Sequence, residues 1–205
     1  MTTTKAKRWT IADLEGIPQP WDDTRYEIID GELFVSSQPS NEHQYTSMAA
    51  TLELGNWSRQ SGNGVVLPAP GLIFAEDDHA APDVIWVSNE RYRSEVRADS
   101  KLHGPPELVV EVLSPGSENE RRDFVVKLGL YSRRGVDEYW ILDWWQRRAL
   151  VHRRAGETLQ LAATLEANDR LESPLLPGFS CLVDDLFPPR SWPAPLAPEE
   201  STEDR

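Results

Sequence analysis

The sequence predicts a single domain of α/β or α+β type, and three observations carry that prediction. An Asp-Gly pair, Asp30-Gly31, separates two short strand-like runs, Tyr26 to Ile29 and Glu32 to Val35. The run Leu108 to Leu113 is apolar throughout except for Glu111, the pattern of a central strand covered on both faces. Helix-like stretches fall between such runs, which is the order that layers helices on a sheet. The chain has 205 residues, long enough for one domain with a substantial core and short for two.

In chain order, Trp9 to Leu14 reads as a short helix capped by Thr10, followed by a loop over Pro18 to Asp23. The hairpin around Asp30-Gly31 starts the sheet, because both turn positions need positive φ. From Ser40 or Asn41, each able to cap a helix, Tyr45, Met48, Ala49, Leu52 and Trp57 follow helical spacing toward Ser61 and Gly62. This helix is expected to pack on the sheet. Strands are expected over Gly64 to Leu67, Leu72 to Ala75, Asp83 to Val87 and Glu107 to Leu113. A second helix, Asn119 to Arg134, should end at Gly135, and further strands should cover Asp137 to Asp143, Ala149 to Arg153 and Thr158 to Leu161. No internal repeat of 20 to 50 residues is found, which sets solenoids and propellers aside.

A hydrophobic fraction of 39% with 27% charged residues argues against bulk disorder. No apolar run approaches the roughly 18 residues of a membrane span. The basic residues of Met1 to Arg8 have no apolar segment behind them, so no signal peptide is expected and the expected address is cytoplasmic. Residues 1–8 are read as a flexible arm, 9–187 as the domain, and 188–205, dense in Pro and acids, as a disordered tail. The single cysteine, Cys181, cannot form an internal disulfide and reads as a small buried residue. A net charge of −13 argues against a generally basic nucleic-acid surface but leaves room for a local basic cleft.

Two constellations could carry chemistry. Asp83, after Pro82, opens one strand, and Glu111 lies inside the next hydrophobic run. If those strands are neighbours, both carboxylates reach one point, and two close ionised acids suit a hard cation such as Mg²⁺. The alternatives are a turn or capping acid for Asp83 and a cross-sheet salt bridge for Glu111. On the following helix, Asp123, Lys127 and Tyr131 recur at i, i+4 and i+8 and so share a face. A surface salt bridge is the plain reading, yet the chain has four lysines, and Lys127 is surrounded by Val125, Val126, Leu128 and Leu130. A lysine there could steady charge developing on a phosphate.

His43, in the first turn of its helix, could contact phosphate or act as a base, or be a surface group. Ser114 lacks a Gly-x-Ser-x-Gly elbow and gives no serine-hydrolase reading. Asp137, Glu138 and Asp143 sit at strand ends, where acids usually serve the fold. Trp144-Trp145 reads as hairpin packing, an interface or a base-stacking surface. Arg121, Arg122, Arg133 and Arg134 could form a basic rim or a solvated helix face.

Several runs together resemble the Uma-two family of putative restriction endonucleases. They are Tyr26 to Leu33, Gln38-Pro39-Ser40 with His43-Gln44, Pro82-Asp83-Val84, Val110 to Pro115, the series Asp123, Lys127, Tyr131, and Gly135 to Asp143. The resemblance spans roughly Trp9 to Phe187. It implies the PD-(D/E)XK restriction-endonuclease-like fold, a central mixed sheet flanked by helices. It also implies Asp83 and Glu111 as metal carboxylates, Glu27 as a third acid, and Mg²⁺ or Mn²⁺ as cofactor. In the parent pattern a lysine stands two residues after the second acid, where this chain has Leu113; the resemblance implies that Lys127 replaces it. The function expected is therefore metal-dependent hydrolysis of DNA phosphodiesters, with Asp83, Glu111 and Lys127 catalytic and Glu27, His43 and Asp123 as additional candidates. A homodimer is expected from the aromatic residues around Tyr139 to Trp145, and no membrane association. The rival is an inactive nuclease fold used as a nucleic-acid-binding or protein-interaction module.

Overall fold

Asp30 and Gly31 turn the chain with φ of 53° and 75°, the left-handed pair that a two-residue hairpin demands. In the computed structural model, which describes residues 7–17, 24–114, 116 and 121–193, that turn joins β1 (Arg25–Ile29) to β2 (Glu32–Ser36). Before it lies the short helix α1 (Ile11–Glu15), where the Asp13 carboxylate accepts from both the Thr10 amide and hydroxyl, at 2.8 and 2.9 Å. The expected loop over residues 18–23 lies outside the described residues. β1 and β2 belong to a four-stranded sheet completed by β4 (Leu72–Ala75) and β5 (Asp78–Ala80), in the order β2-β1-β5-β4.

The main sheet has six strands in the order β10-β9-β8-β7-β6-β3. These are β3 (Gly64–Pro68), β6 (Val84–Ser88), β7 (Leu108–Val112), β8 (Glu138–Asp143), β9 (Arg148–Ala155) and β10 (Thr158–Glu166). Within this sheet, among the described residues, β7 and β8 pair in parallel and the other neighbours antiparallel, so the sheet is mixed. β7 is buried along its whole length, as its continuous apolar pattern requires. Alternation sorts its side chains: Leu108, Val110 and Val112 join a core with Trp86, Trp140 and Phe179, whereas Val109 and Leu113 join another with Ile85, Tyr131 and Ile141. Glu111 therefore points into the second layer.

The first layer is roofed by α2 (Asn41–Ser61), capped by the Ser40 hydroxyl and closed by Gly62 at φ 68°. Its register departs from expectation. Met48 and Leu52 are half exposed, at 48% and 50%, while His43, Thr46, Ala49, Ala50, Leu54 and Ser58 are buried. Small side chains bring the helix close to the sheet, and the buried hydroxyls are satisfied by backbone: Thr46 donates to the Glu42 carbonyl at 2.9 Å and Ser58 to that of Gly64 at 2.7 Å. Of the five expected contact residues Ala49 is buried and Trp57 packs against the core, so the departure is confined to Met48 and Leu52.

The second layer is covered by a π-helical stretch, Arg122–Lys127, running into α4 (Leu128–Arg134), which ends at Gly135 with φ 89°. Residues 117–120, where this helix was expected to begin, lie outside the described residues. The remaining elements are α3 (Asn89–Glu95), the pair β11 (Arg170–Glu172) and β12 (Ser180–Leu182), and a 3-10 turn, Val183–Leu186. β5, α3, β11 and β12 had no counterpart in the sequence reading, being short and weakly patterned. Phe187 is buried and Trp192 packs edge-on against Tyr45 at 5.3 Å. Cys181 is buried, and burial pushes its thiol up to about 12. Among the described residues no helix is long and apolar enough to cross a membrane.

Candidate active site

β6 and β7 are antiparallel neighbours with Val84 opposite Val110, so one step further along the register Asp83 faces Glu111. β1 brings Glu27 to the same place, where its Oε1 accepts from the Ala81 amide at 2.9 Å. The π-helical stretch supplies Asp123 and Lys127, and α4 supplies Tyr131. Wide turns of this kind recur at functional sites. Lys127 Nζ lies 2.9 Å from Glu111 Oε1, 3.2 Å from Glu27 Oε1 and 4.0 Å from Asp123 Oδ1. Tyr131 donates to the same Glu111 Oε1 at 2.7 Å. Asp83, Glu111, Glu27 and Lys127 are each only 3% exposed, which removes the surface salt bridge as a reading of Lys127.

Asp83 is held from three sides. Arg25 donates to Oδ1 at 2.9 Å, the Val112 amide to Oδ2 at 2.8 Å, and His43 Nε2 lies 3.2 Å from Oδ2. It is thus no mere turn acid. Burial opposes its ionisation, but His43, by hydrogen bond and charge, together with Lys127 and the Val112 amide, outweighs this and holds the carboxyl below the usual carboxylate range. Glu111 goes the other way. Burial, reinforced by the charges of Asp83, Glu27 and Asp123, pushes it up to about 8 against the pull of Lys127. Burial also raises Asp123, despite Lys127 and Arg122. For Lys127 itself burial favours the neutral amine, but Glu111, Glu27 and Asp123 win and raise it above its ordinary value.

These groups open on a cavity of about 280 Å³ whose lining includes Arg25, Glu27, His43, Asp83, Glu111 and Lys127. All the sequence-derived site residues except Asp123 line it, and Asp123 contacts Lys127 beneath. Two participants were missed. Arg25 shares a strand face with Glu27, two residues on, and that alternation was the available signal. Arg122 was read only as part of a rim, yet it lines the cavity and bonds Ser36 Oγ at 2.5 Å and Asp123 Oδ1 at 3.4 Å. Two others of the proposed rim are paired away from the cavity: Arg133 with Asp30, and Arg134 with buried Asp78. Tyr139 and Trp140 are buried in the core and cannot form the aromatic interface expected of them; Trp145 is 74% exposed.

The donors suit a hard cation, being carboxyl oxygens on a polar cavity where four buried acids, Glu27, Asp83, Glu111 and Asp123, stand around one buried lysine. Yet among the described residues no group of three or more His, Cys, Asp or Glu side chains is arranged to hold a metal. The fit is that of a Mg²⁺-type ion, which takes one or two carboxylates and completes its shell with water and phosphate.

A mixed sheet with helices on both faces and buried acids beside a lysine at a strand end defines a restriction-endonuclease-like protein. The chain belongs to the Uma2 family, described as "Putative restriction endonuclease", whose model matches residues 12–184. Among solved structures it is similar to a putative nuclease belonging to DUF820 from Anabaena variabilis ATCC 29413. That likeness has a TM-score of 0.69 and 14% identity, covering 87% of this chain and 97% of that one. No curated protein matches the chain.

Proposed function

We propose that the chain is a metal-dependent endonuclease that hydrolyses DNA phosphodiester bonds. The observation that supports this best is the convergence of Asp83, Glu111 and Lys127 on one polar cavity, with the lysine delivered from a helix and Leu113 standing two residues after Glu111 on the strand. Asp83 and Glu111 would hold Mg²⁺ or Mn²⁺, with Glu27 contributing through water. Such an ion, when bound, polarises the phosphoryl oxygen and lowers the pKa of attacking water.

The chain's own groups do the rest. Tyr131 and Lys127 fix the Glu111 carboxylate, and His43, Arg25 and the Val112 amide fix that of Asp83. The Lys127 ammonium, kept protonated by its acids, offers a buried positive charge to the oxygens of the phosphorane-like transition state. Arg25 and Arg122 on the cavity wall suit a phosphate approaching it.

A second reading, an inactive nuclease fold serving as a binding module, is favoured by one observation: among the described residues no three or more His, Cys, Asp or Glu side chains are arranged to hold a metal ion. Cleavage of plasmid and short single-stranded DNA with Mg²⁺ and with Mn²⁺ decides between them. Activity lost in both Glu111→Ala and Lys127→Ala supports the enzyme; DNA binding without turnover in the wild type supports the module.

A further inference from the structure

We propose that the exposed face of α2 is a track for single-stranded polynucleotide, leading from the catalytic cavity toward Arg59. This deepens the nuclease reading and rests on it. A groove of about 340 Å³ shares Arg25, Pro39, His43 and Asp83 with the catalytic cavity and continues over Gln44, Ser47, Met48, Thr51 and Leu52. A further groove of about 380 Å³ takes over at Thr51 and Leu52 and reaches Arg59 and the edge of β3. The three are contiguous. From His43 to Arg59 the helix runs roughly 24 Å at its rise of 1.5 Å per residue, the length of roughly seven stacked nucleotides at 3.4 Å each.

The chemistry of the track selects its occupant. In a chain with 34 acidic residues and a net charge of −13, the two grooves along α2 are lined by no acid other than Asp83 at the site itself. An arginine stands at each end, Arg25 and Arg59. Between them Met48 and Leu52, half exposed, give apolar platforms for bases, and Gln44 and Ser47 give polar groups for base edges or phosphate. Two arginines are few for the counterion release that duplex binding draws on. Catalytic groups only 3% exposed also demand a backbone that can dip into a recess, which a flexible single strand does more readily than a stiff duplex. The misfit between the helix's hydrophobic pattern and its buried face thus acquires a use: the apolar residues left outside flank the route to the site.

The test is fluorescence anisotropy of labelled oligothymidylates of increasing length with the full chain in EDTA, the oligonucleotides being checked for integrity afterwards. The expected result is affinity that rises with length and then levels off near eight nucleotides. It should fall at least tenfold in Met48→Glu/Leu52→Glu and severalfold in Arg59→Glu, while Leu161→Glu/Ala163→Glu, which adds the same two charges on β10, leaves it unaltered. Circular dichroism melting confirms that each variant is folded. No oligonucleotide binding by the wild type, or binding indifferent to the α2 changes, overturns the track. So does a dimer, seen by sedimentation, that these substitutions dissolve without altering oligonucleotide affinity; the face would then seat a second copy of the chain. Cleavage of a thymidine dinucleotide by the wild type, read separately, tests the catalytic site without the track. Binding that depends on the α2 substitutions, with no cleavage, supports the track and rejects the nuclease, and cleavage with binding indifferent to those substitutions does the reverse.

Discussion

β7 and β8 lie side by side in parallel, and each carries one buried glutamate, at opposite ends of the pair. Glu138, at the start of β8, has both oxygens occupied: Oε1 accepts from Trp140 Nε1 at 2.7 Å, Oε2 accepts from Ser173 Oγ at 2.7 Å, and Arg153 adds charge at 3.4 Å. Glu111, near the end of β7, receives Lys127 and Tyr131 on Oε1, while Oε2 accepts from no donor among the described residues. Around Glu138 the partners are neutral donors and one cation. Around Glu111 stand three more acids, Glu27, Asp83 and Asp123. A buried acid that is fully partnered holds a fold together; one held against its neighbours and left with coordination to spare is built to receive something. The site also occupies the carboxyl ends of the parallel pair of the main sheet, where open α/β sheets place their ligands.

The largest expected effect separates the two ends by activity. Glu111→Ala should lower the DNA cleavage rate about a thousandfold, on the order of 4 kcal/mol of transition-state stabilisation. Glu138→Gln, which keeps the shape and most of the hydrogen bonds, should leave the rate within about threefold. Rates from plasmid nicking check both, and comparable losses in the two variants would dissolve the contrast. The next effect is on folding. Glu138→Ala strands Trp140 Nε1, the Ser173 hydroxyl and the Arg153 charge, and should cost about 3 kcal/mol in urea denaturation.

The third effect is a dependence on pH. With Glu111 raised to about 8 from an unfolded value near 4.5, the folded chain holds a proton over that window that the unfolded chain releases. This contribution to stability is therefore greatest at low pH and is lost as pH rises through the window, by at most about 1.4 kcal/mol per pH unit. Asp83, shifted the other way, contributes stability above its unfolded value near 3.8 that disappears only in strong acid. Urea midpoints between pH 5 and 8 should fall in the wild type and flatten in Glu111→Gln. An unchanged slope in that variant would assign the titration elsewhere.

How much of this was legible in the sequence follows from the range of each interaction. The Asp30-Gly31 turn, the buried run of β7 and the Gly62 and Gly135 helix ends are set by a few neighbouring residues, and each lies where the sequence placed it. Asp83 and Glu111 were readable because adjacent strands put them in register. The pairing of Asp83 with its partners was not, because Arg25 and His43 arrive across 58 and 40 residues of chain, and local pattern orients each element without showing which distant acid it meets. On α2, Ala49 and Trp57 pack as the spacing predicts, but Met48 and Leu52 do not. Helix burial there follows small size and backbone-bonded hydroxyls, which a hydrophobic count scores as surface. The buried Tyr139 and Trp140 were counted toward an interface because an aromatic run looks the same whether a core or a partner covers it.

The smallest expected effect is the sharpest test of the comparison, because the same cut can be made at both ends. Tyr131 and Ser173 each place one hydroxyl 2.7 Å from a buried glutamate oxygen. Tyr131→Phe and Ser173→Ala each remove one hydrogen bond to a carboxylate, and each should cost on the order of 1 kcal/mol in urea denaturation. Their consequences should then part. Loss of the Tyr131 hydroxyl takes a donor from a carboxyl already forced upward, so Glu111 ionises at still higher pH and the acidic limb of the cleavage profile moves up with it. Loss of the Ser173 hydroxyl leaves that limb where it was, since Glu138 faces no reacting group. Equal movement in both variants would show that the limb reports the stability of the sheet and not the ionisation of Glu111. Movement in Tyr131→Phe alone ties the chemistry to the carboxyl end of β7.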